Sequence, residues 1–174
     1  MSGVVSLREL SVEDGEEIYD LLQDIPPEFG FMNGMHGESR ETFRTWLVKH
    51  AAMARGELVD PGFVPSTDFW LFVDGHPVGY GKMRHLLNEK LLEHGGHIGF
   101  AVRRSERGKG YGRLLLRELL AAAATRGIDR TLLTCDEANV RSIRTIEGCG
   151  GILEDVREGR RRYWIDTAPF RREG

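Results

Sequence analysis

The residues best suited to chemistry form a glycine-rich turn between a short apolar segment and a leucine-rich one. The apolar segment runs from His97 to Val102, and the turn is Arg107-Gly108-Lys109-Gly110-Tyr111-Gly112. Glycines let the backbone approach a ligand closely, and the free N–H groups of a helix's first turn attract an anion. Basic side chains surround the same turn, at Arg103, Arg104, Arg107, Lys109 and Arg113. The stretch therefore predicts a phosphate-binding turn at the start of a helix.

Two nucleotide-binding patterns do not fit this turn. A P-loop requires G-x-x-x-x-G-K-[ST], and the chain contains no such run. A dinucleotide fingerprint requires G-x-G-x-x-G, but counting from Gly108 the last position is Arg113. The turn also lies late in the chain, after a predicted hairpin, so it does not suit the opening unit of a dinucleotide-binding fold. Both observations argue against a nucleotide-dependent enzyme.

Length and composition predict one globular domain spanning residues 1–174. The chain has 174 residues, of which 40% are hydrophobic and 29% charged, an ordinary balance for a folded domain. A formal net charge of −3 argues against a nucleic-acid partner. The N-terminus has no signal-peptide pattern and no apolar run is long enough to span a bilayer, so we expect a cytoplasmic protein without a membrane partner. Cys135 and Cys149 lack zinc-type spacing, and we expect reduced thiols and no metal.

The pattern of apolar and polar residues predicts the elements that must position the turn. In the N-terminal half it predicts a strand over 4–10, a helix from Ser11 through Leu22, a loop over 24–37, a helix over 40–55, and a hairpin of strands 68–73 and 78–83. In the C-terminal half it predicts a short helix or loop over 86–92, strand 97–102, a helix from Tyr111 to Gly127, strand 131–135, a short helix after Asn139, and a hairpin of 152–155 and 161–165. The strand–helix–strand order around the turn favours parallel pairing of the two strands.

The turn has the spacing R-x-x-G-x-G, follows an apolar strand and precedes a leucine-rich helix. In these three respects it resembles the corresponding turn of the GNAT family, the Gcn5-related N-acetyltransferases. Asn139-Val140-Arg141-Ser142 opens a short helix after the next strand, and a glycine-bearing run from Glu147 to Gly151 closes it, as in that family. The motifs cover residues 68–166, and the strings GYGKMRHLLN, GGHIGF and LLTCDEAN are similar to a bacterial subgroup of predicted acetyltransferases. The resemblance implies an α/β (α+β) fold: a single mixed, mostly antiparallel sheet, flanked by helices, with a central parallel pair splayed around the acyl-CoA site.

The resemblance also implies acetyl-CoA as the cofactor. It assigns the glycine turn to the pyrophosphate and strand 100–102 to the pantetheine arm, with a strand N–H polarising the thioester carbonyl. Asn139, Ser142 and Arg144 resemble positions near the far side of the cofactor, although Asn139 also suits a simple helix cap. The positions expected to bind the cofactor are Phe100, Ala101, Val102, Arg107, Gly108, Lys109, Gly110, Tyr111, Gly112, Asn139, Ser142 and Arg144.

The acid–base residues are harder to assign. Freeing an alkylamine with a pKa of about 10 at neutral pH costs roughly 4 kcal/mol, which a base or a water relay must supply. His97 lies close to where many family members carry a glutamate base, but it also suits a histidine bonded to a neighbouring carbonyl. Glu93 and His85 are weaker candidates for the base.

For the general acid, Ile146 stands where many family members have a tyrosine. Tyr163, a water molecule or unassisted departure of the thiolate are the alternatives. Cys135 lies in an apolar strand, which favours an inert thiol over a covalent acyl-enzyme.

We expect the acceptor cleft between the loop 24–37, the segment 83–88 and the tail hairpin. Glu28 or Glu93 is expected to attract a cationic amine, and Arg84 and His85 to hold a carboxylate or phosphate. Phe29 and Phe31 are expected to contact the substrate from the loop, although apolar loop residues also commonly pack on the core.

The predicted function is transfer of an acetyl group from acetyl-CoA to a primary amine of a small molecule or peptide, by direct attack in a ternary complex. The alternative is a non-catalytic acyl-CoA-binding sensor or regulatory module, kept open by the missing tyrosine at Ile146. A homodimer is possible, because two-fold dimers are the commonest assemblies.

Overall fold

The computed structural model describes residues 3–173. The elements in the N-terminal half are β1 (Val5–Glu9), α1 (Glu16–Gln23), α2 (Arg40–Ala54), β2 (Ser66–Val73), β3 (His76–Arg84) and α3 (Glu89–Glu93). They are followed by β4 (Ile98–Val102), α4 (Tyr111–Thr125), β5 (Arg130–Asp136), α5 (Val140–Gly148), β6 (Ile152–Arg157) and β7 (Arg160–Asp166). The order of elements agrees with the sequence pattern, except that Ser11 does not start α1. Its hydroxyl instead accepts a hydrogen bond from the Glu13 N–H in a preceding turn.

The strands form two antiparallel sheets flanked by helices, which confirms the predicted α/β class. One sheet has the order β1-β2-β3-β4, and the other has the order β5-β7-β6. The expected single sheet with a central parallel pair is not what the hydrogen bonds show, because β4 and β5 belong to different sheets. A strand–helix–strand order fixes where the chain crosses over, but it does not force the two strand edges to within hydrogen-bonding distance.

The two sheets meet at one point, just before β4 begins. Gly96 forms a single bridge with Leu133, and the His97 N–H donates to the Leu132 carbonyl at 2.8 Å. From Ile98 onward, β4 pairs only with β3. The edge of β4 on the side of β5 is therefore left open.

The first sheet separates two parts of the core. On one face, residues such as Leu71 and Met83 pack with the buried leucines of α4. On the other face, Trp70 and Tyr80 pack with apolar residues of α1 and α2. Because both faces of β2 are buried, each against one part of the core, the strand is apolar along nearly its whole length.

Both predicted hairpins are confirmed. The strands β2 and β3 are joined by Asp74 and Gly75, and β6 and β7 by Glu158 and Gly159. All four residues have positive φ, between 49° and 78°, as a two-residue type I′ turn requires. The second hairpin completes the smaller sheet by placing β7 against β5.

None of the helices in residues 3–173 has the length and hydropathy needed to cross a bilayer.

The junction between the sheets predicts an unusually sensitive glycine. Gly96 has a φ of +60°, and a Cβ there would lie 2.2 Å from the Leu132 carbonyl oxygen. Gly127 has a φ of +86° but no neighbouring atom within 4 Å, so it is a matched control for backbone strain alone. We expect Gly127→Ala to lower the free energy of unfolding by about 1 kcal/mol and Gly96→Ala by about 3 kcal/mol or more. Denaturant unfolding measures both, and equal losses would contradict the role of the junction.

Candidate active site

A cavity of about 560 Å³ opens beside the free edge of β4. Its walls come from four segments: the loop after α1, strand β4, the glycine turn at the start of α4, and the first turns of α5. Most of the predicted cofactor positions line it, together with three predicted substrate positions. The lining residues among these are Glu28, Phe29, Phe31, Phe100, Ala101, Val102, Arg107, Gly108, Gly110, Tyr111, Gly112, Asn139, Ser142 and Arg144.

The glycine turn is shaped to receive an anion. Gly108 and Gly110 have φ values of +80° and +83°, a region that costs other residues roughly 1–2 kcal/mol. Gly110 precedes the first residue of α4, and no described side chain caps that helix. The N–H groups of the first turn of α4 therefore remain available at the positive end of a 15-residue helix.

The open edge of β4 forms another wall of the cavity. Phe100, Ala101 and Val102 pair with β3 on one side only. Because alternate N–H and C=O groups of an edge strand point away from its sheet, this edge can pair with an extended amide-containing ligand. The geometry thus places a strand-like binding surface next to an anion-binding turn.

Arg107 and Lys109, both predicted to bind the cofactor, have different surroundings. The Arg107 guanidinium lies in the cavity, with Nη2 2.8 Å from Glu28 Oε1 and Nε donating to the Val102 carbonyl at 3.2 Å. The Lys109 ammonium instead donates to Glu106 Oε2 at 2.7 Å, and this hydrogen bond raises its pKa. Lys109 does not line the cavity, so only its backbone remains a candidate contact.

Glu28 lines the cavity, but its carboxylate lies against Arg107. Sequence reasoning expected this carboxylate to attract a cationic amine, and instead it neutralises a cation at the anion-binding turn. The two residues are 79 positions apart in the chain. The loop that carries Glu28 is held there by Asp24, whose carboxylate accepts from Arg103 Nε at 2.8 Å and from the Ser105 hydroxyl at 2.6 Å.

Asn139 is the N-cap of α5, as its alternative interpretation predicted. Its Oδ1 accepts from the Ser142 N–H at 3.3 Å, and its Nδ2 donates to the Ser142 hydroxyl at 3.0 Å. Both side chains also line the cavity, so the cap orients a polar pair toward it.

Several lining residues were missed by the sequence assignment of site residues: Pro26, Glu106, Arg113, Arg141 and Thr145. Arg113 was noted in the sequence among the basic residues around the turn but was not assigned to the site, and Arg141 lies within one helical turn of assigned positions, a proximity that could have found it. Together with Arg107 and Arg144 they give the cavity a strongly basic wall.

His97, the predicted base, has the surroundings of a structural residue. Its side chain is buried, and its Nδ1 accepts from the Leu132 N–H at 2.9 Å. Burial, with a smaller contribution from Arg84, lowers its pKa to about 4. His97 does not line the cavity, so the expectation of a catalytic base at this position is not supported, because the ring holds the junction between the sheets.

The other acid–base candidates also lie outside the cavity. The buried Tyr163 hydroxyl donates to Glu147 Oε2 at 2.7 Å, and Ile146 is buried in the core. Burial raises the pKa of Cys135 to about 11, as expected for an inert thiol. Glu93 pairs with Arg157.

Arg84 and His85 do not line the cavity either, so the segment 83–88 is not a wall of it. Arg84 Nη1 donates to the carbonyls of Gly95 and Gly96, at 3.2 Å each. His85 Nε2 lies 2.8 Å from the Thr67 hydroxyl. Arg84 is therefore bonded to backbone carbonyls before β4, and His85 to a side chain of β2.

Fold and cavity together place a turn suited to an anion beside an open strand edge. A family model described as "Acetyltransferase (GNAT) family" matches residues 15–150, more than half of the chain. The chain belongs to the GNAT acetyltransferase family, which confirms the resemblance seen in the sequence. No curated protein matches the chain at a significant level of sequence similarity.

Solved structures of this family share the fold. The ribosomal-protein-S5-alanine acetyltransferase from Vibrio fischeri matches with a TM-score of 0.68 at 12% identity, covering 99% of this chain and 100% of that one. The GNAT-family acetyltransferase from Streptococcus pneumoniae gives 0.64 at 18% identity, covering 94% and 99%. The N-acetyltransferase PseH from Campylobacter jejuni, in complex with acetyl coenzyme A, gives 0.64 at 10% identity, covering 95% and 100%.

The buried His97 predicts a specific dependence of stability on pH. Its folded pKa of about 4 lies below its usual 6.5, so between these values the unfolded chain binds more protons. The stabilising contribution of neutral His97 is therefore fully present above pH 6.5. As the pH falls toward 4 this contribution is lost, which lowers the free energy of unfolding by up to about 3 kcal/mol. His97→Asn keeps an oxygen acceptor for the Leu132 N–H but does not titrate, so its free energy of unfolding is expected to fall less over this range.

Denaturant unfolding at a series of pH values measures the difference between wild type and His97→Asn. The same pair of proteins tests whether His97 is the catalytic base. If His97→Asn folded normally, but its pH–rate profile for acetyl transfer lacked an ionisation near neutral pH that the wild type shows, His97 would again be the candidate base.

Proposed function

We propose that this protein transfers an acetyl group from acetyl-CoA to a primary amine of a small molecule or peptide, by direct attack in a ternary complex. One observation carries the proposal: the preformed glycine turn and the unpaired edge of β4 line the same cavity. Family membership supplies the reaction class, and the residues of this cavity fit the cofactor.

The glycine turn suits the pyrophosphate of CoA. Its open N–H groups and the Arg107 guanidinium offer donors to phosphate oxygens, once Arg107 exchanges Glu28 for the ligand. Asn139, Ser142 and Arg144 form the wall proposed for the far side of the cofactor, and Arg113 and Arg141 add positive charge to the same cavity.

The edge of β4 suits the pantetheine arm, whose amides can pair with Phe100, Ala101 and Val102 as an added strand does. When bound, acetyl-CoA supplies an acetyl group activated as a thioester. An N–H group fixed on β4 can then stabilise the negative charge that develops on the carbonyl oxygen during attack. This donor costs no reorganisation, since β3 already holds the strand in place.

We assign the proton transfers to water in the cavity. His97 and Tyr163 lie outside it, and both ring groups are engaged with other parts of the fold. A thiol has a pKa of about 8.5, so CoA needs no acid in order to leave near neutral pH. The same observation favours the second candidate function, a non-catalytic acyl-CoA-binding module.

An amine panel with detection of free thiol tests the transfer. We expect acetyl-CoA to raise the melting temperature, and CoA release to require a particular primary amine. A melting shift without amine-dependent release across the panel would favour the binding module. A chain that does not respond to acetyl-CoA at all would contradict the proposal.

Two basic residues of the turn give a matched pair for cofactor binding. Arg107 faces the cavity, whereas the Lys109 side chain pairs with Glu106. Because charge-assisted hydrogen bonds contribute about 1.5–3 kcal/mol, we expect Arg107→Met to weaken acetyl-CoA binding by about 10-fold to 100-fold. We expect Lys109→Met to change it by less than about 3-fold. Calorimetric titration measures both, and equal effects would mean that net charge alone governs binding.

A further inference from the structure

Three cationic side chains surround the place where the two sheets meet, and we refer to Lys82, Arg84 and Arg160 as the cationic cluster. No carboxylate within residues 3–173 comes within ion-pair distance of any of them. Other partly buried arginines of this chain do have such partners. Arg103 lies 2.8 Å from Asp24, Arg107 2.8 Å from Glu28, and Arg162 2.9 Å from Asp155.

Lys82 and Arg84 lie on the same face of β3, because they are two residues apart on one strand. The Lys82 ammonium donates to the Met32 carbonyl and lies 5.5 Å from the centre of the Phe31 ring. Burial lowers its pKa to about 8. Burial also lowers the pKa of Arg84. Within residues 3–173, its guanidinium donates hydrogen bonds only to the carbonyls of Gly95 and Gly96.

Arg160 reaches the same region from the start of β7. Its Nη2 donates to the carbonyl and hydroxyl of Thr134, at 3.3 and 3.2 Å, and its Nη1 lies 3.4 Å from the Phe29 carbonyl. Its Nε is buried and has no hydrogen-bond partner among the described residues. A buried guanidinium N–H without an acceptor is costly unless a ligand supplies one.

Shared contacts connect Arg160 and Arg84. The Thr134 hydroxyl accepts from Arg160 and also from the Gly95 N–H, next to the carbonyl that Arg84 contacts. After burial, Arg160 and Arg84 are the main causes that lower the pKa of His94. Positive charge from both strands therefore acts on the same small region.

The cluster does not itself line the cavity, but two of its members contact the loop that forms one of the cavity's walls. Lys82 and Arg160 hold the backbone of residues 29–32, and Phe29 and Phe31 line the cavity. Phe31 packs over Gly99, with ring carbons 3.7 Å from the position of a Cβ there. Gly99 directly precedes Phe100, the first cavity-lining residue of β4, so the cluster lies next to the proposed acetyl end of the ligand.

Nearby carboxylates do not neutralise the cluster. Asp68 lies directly opposite Lys82 in the β2–β3 pair, but beyond ion-pair distance, and its two oxygens are engaged by the His50 ring at 2.6 Å and the Tyr80 hydroxyl at 2.7 Å. Asp136 acts on Arg160 while its Oδ1 accepts from the Ala138 N–H. Partly buried positive charge of this kind is stabilised when an anion binds beside it.

We propose that the cationic cluster binds an anionic group of the acceptor, so that the preferred acceptor is a primary amine that also carries a carboxylate or a phosphate. This inference rests on the proposed acetyl transfer. Arg160 supplies the specific contact through its unpartnered Nε, and Arg84 and Lys82 supply charge. The cluster holds the acceptor by one end, and its amine reaches the thioester beside β4.

Paired acceptors test the inference. Each ω-amino carboxylate, from glycine to ε-aminocaproate, is compared with its own carboxamide, and aminoalkylphosphonates replace the carboxylates in a parallel arm. We expect at least one anionic acceptor to have a kcat/KM about 10-fold or more above its neutral partner. The carboxylate and phosphonate arms identify which anion is preferred.

Variants on one hairpin separate the contact from general charge effects. We expect Arg160→Gln to remove most of the preference for the anionic acceptor, and Arg160→Lys to retain part of it. Arg157→Gln is the control, since Arg157 lies partly exposed on the same hairpin and pairs with Glu93 and Asp155. Each variant must show the melting shift with acetyl-CoA, which establishes that it is folded.

Binding gives a second readout that does not depend on turnover. We expect the same amino carboxylates to raise the melting temperature of the wild type with CoA present, and not that of Arg160→Gln. Equal turnover of neutral and anionic amines would overturn the anion site and leave the acetyl transfer standing. Absence of any carboxylate-induced shift in the wild type would overturn the anion site as well, whereas such a shift without turnover would support it and count against catalysis.

Discussion

The contact between Gly96-His97 and Leu132-Leu133 is the constraint on which the rest of the structure depends. It is the one place where backbone hydrogen bonds join the two sheets within residues 3–173. Because the strands of the two sheets are hydrogen-bonded to each other only there within the described residues, β4 keeps an open edge and a cavity forms beside it. The imidazole Nδ1 of His97 accepts a hydrogen bond from the Leu132 N–H, so this nitrogen is occupied by the contact between the sheets. An open strand edge is normally a liability, and here it is the wall of the proposed binding site.

The sequence was most informative where local geometry determines the chemistry. The glycines at 108, 110 and 112 and the leucine-rich helix after them specify an uncapped helix start by themselves, and the structure places them along one cavity wall. Asp-Gly and Glu-Gly pairs between apolar strands specify two-residue hairpins in the same way. The order of elements, and the residues that line the cavity around the glycine turn, could therefore be predicted without coordinates.

What could not be predicted depends on distances between residues far apart in the chain. Nothing near Glu28 indicates that it meets Arg107, and nothing near His97 indicates that its ring turns to Leu132 and away from the cavity. The same limit applies to the number of sheets, which depends on how far β4 and β5 diverge after Gly96. Arg160 was not among the expected site residues, although the tail hairpin that carries it was expected beside the loop 24–37, because the sequence does not show which hairpin side chain reaches Phe29.

The ion pair between Glu28 and Arg107 has a kinetic consequence. If Arg107 binds the pyrophosphate as proposed, a carboxylate of the protein itself competes with phosphate oxygens for the same guanidinium, and it then weakens the binding of every CoA species by a similar factor. Weaker binding of this kind shortens the time that free CoA stays bound after the transfer. Release of product is a common slow step in enzymes whose chemical step is fast. Glu28 is therefore placed to act as a built-in competitor that speeds product exchange at the expense of affinity.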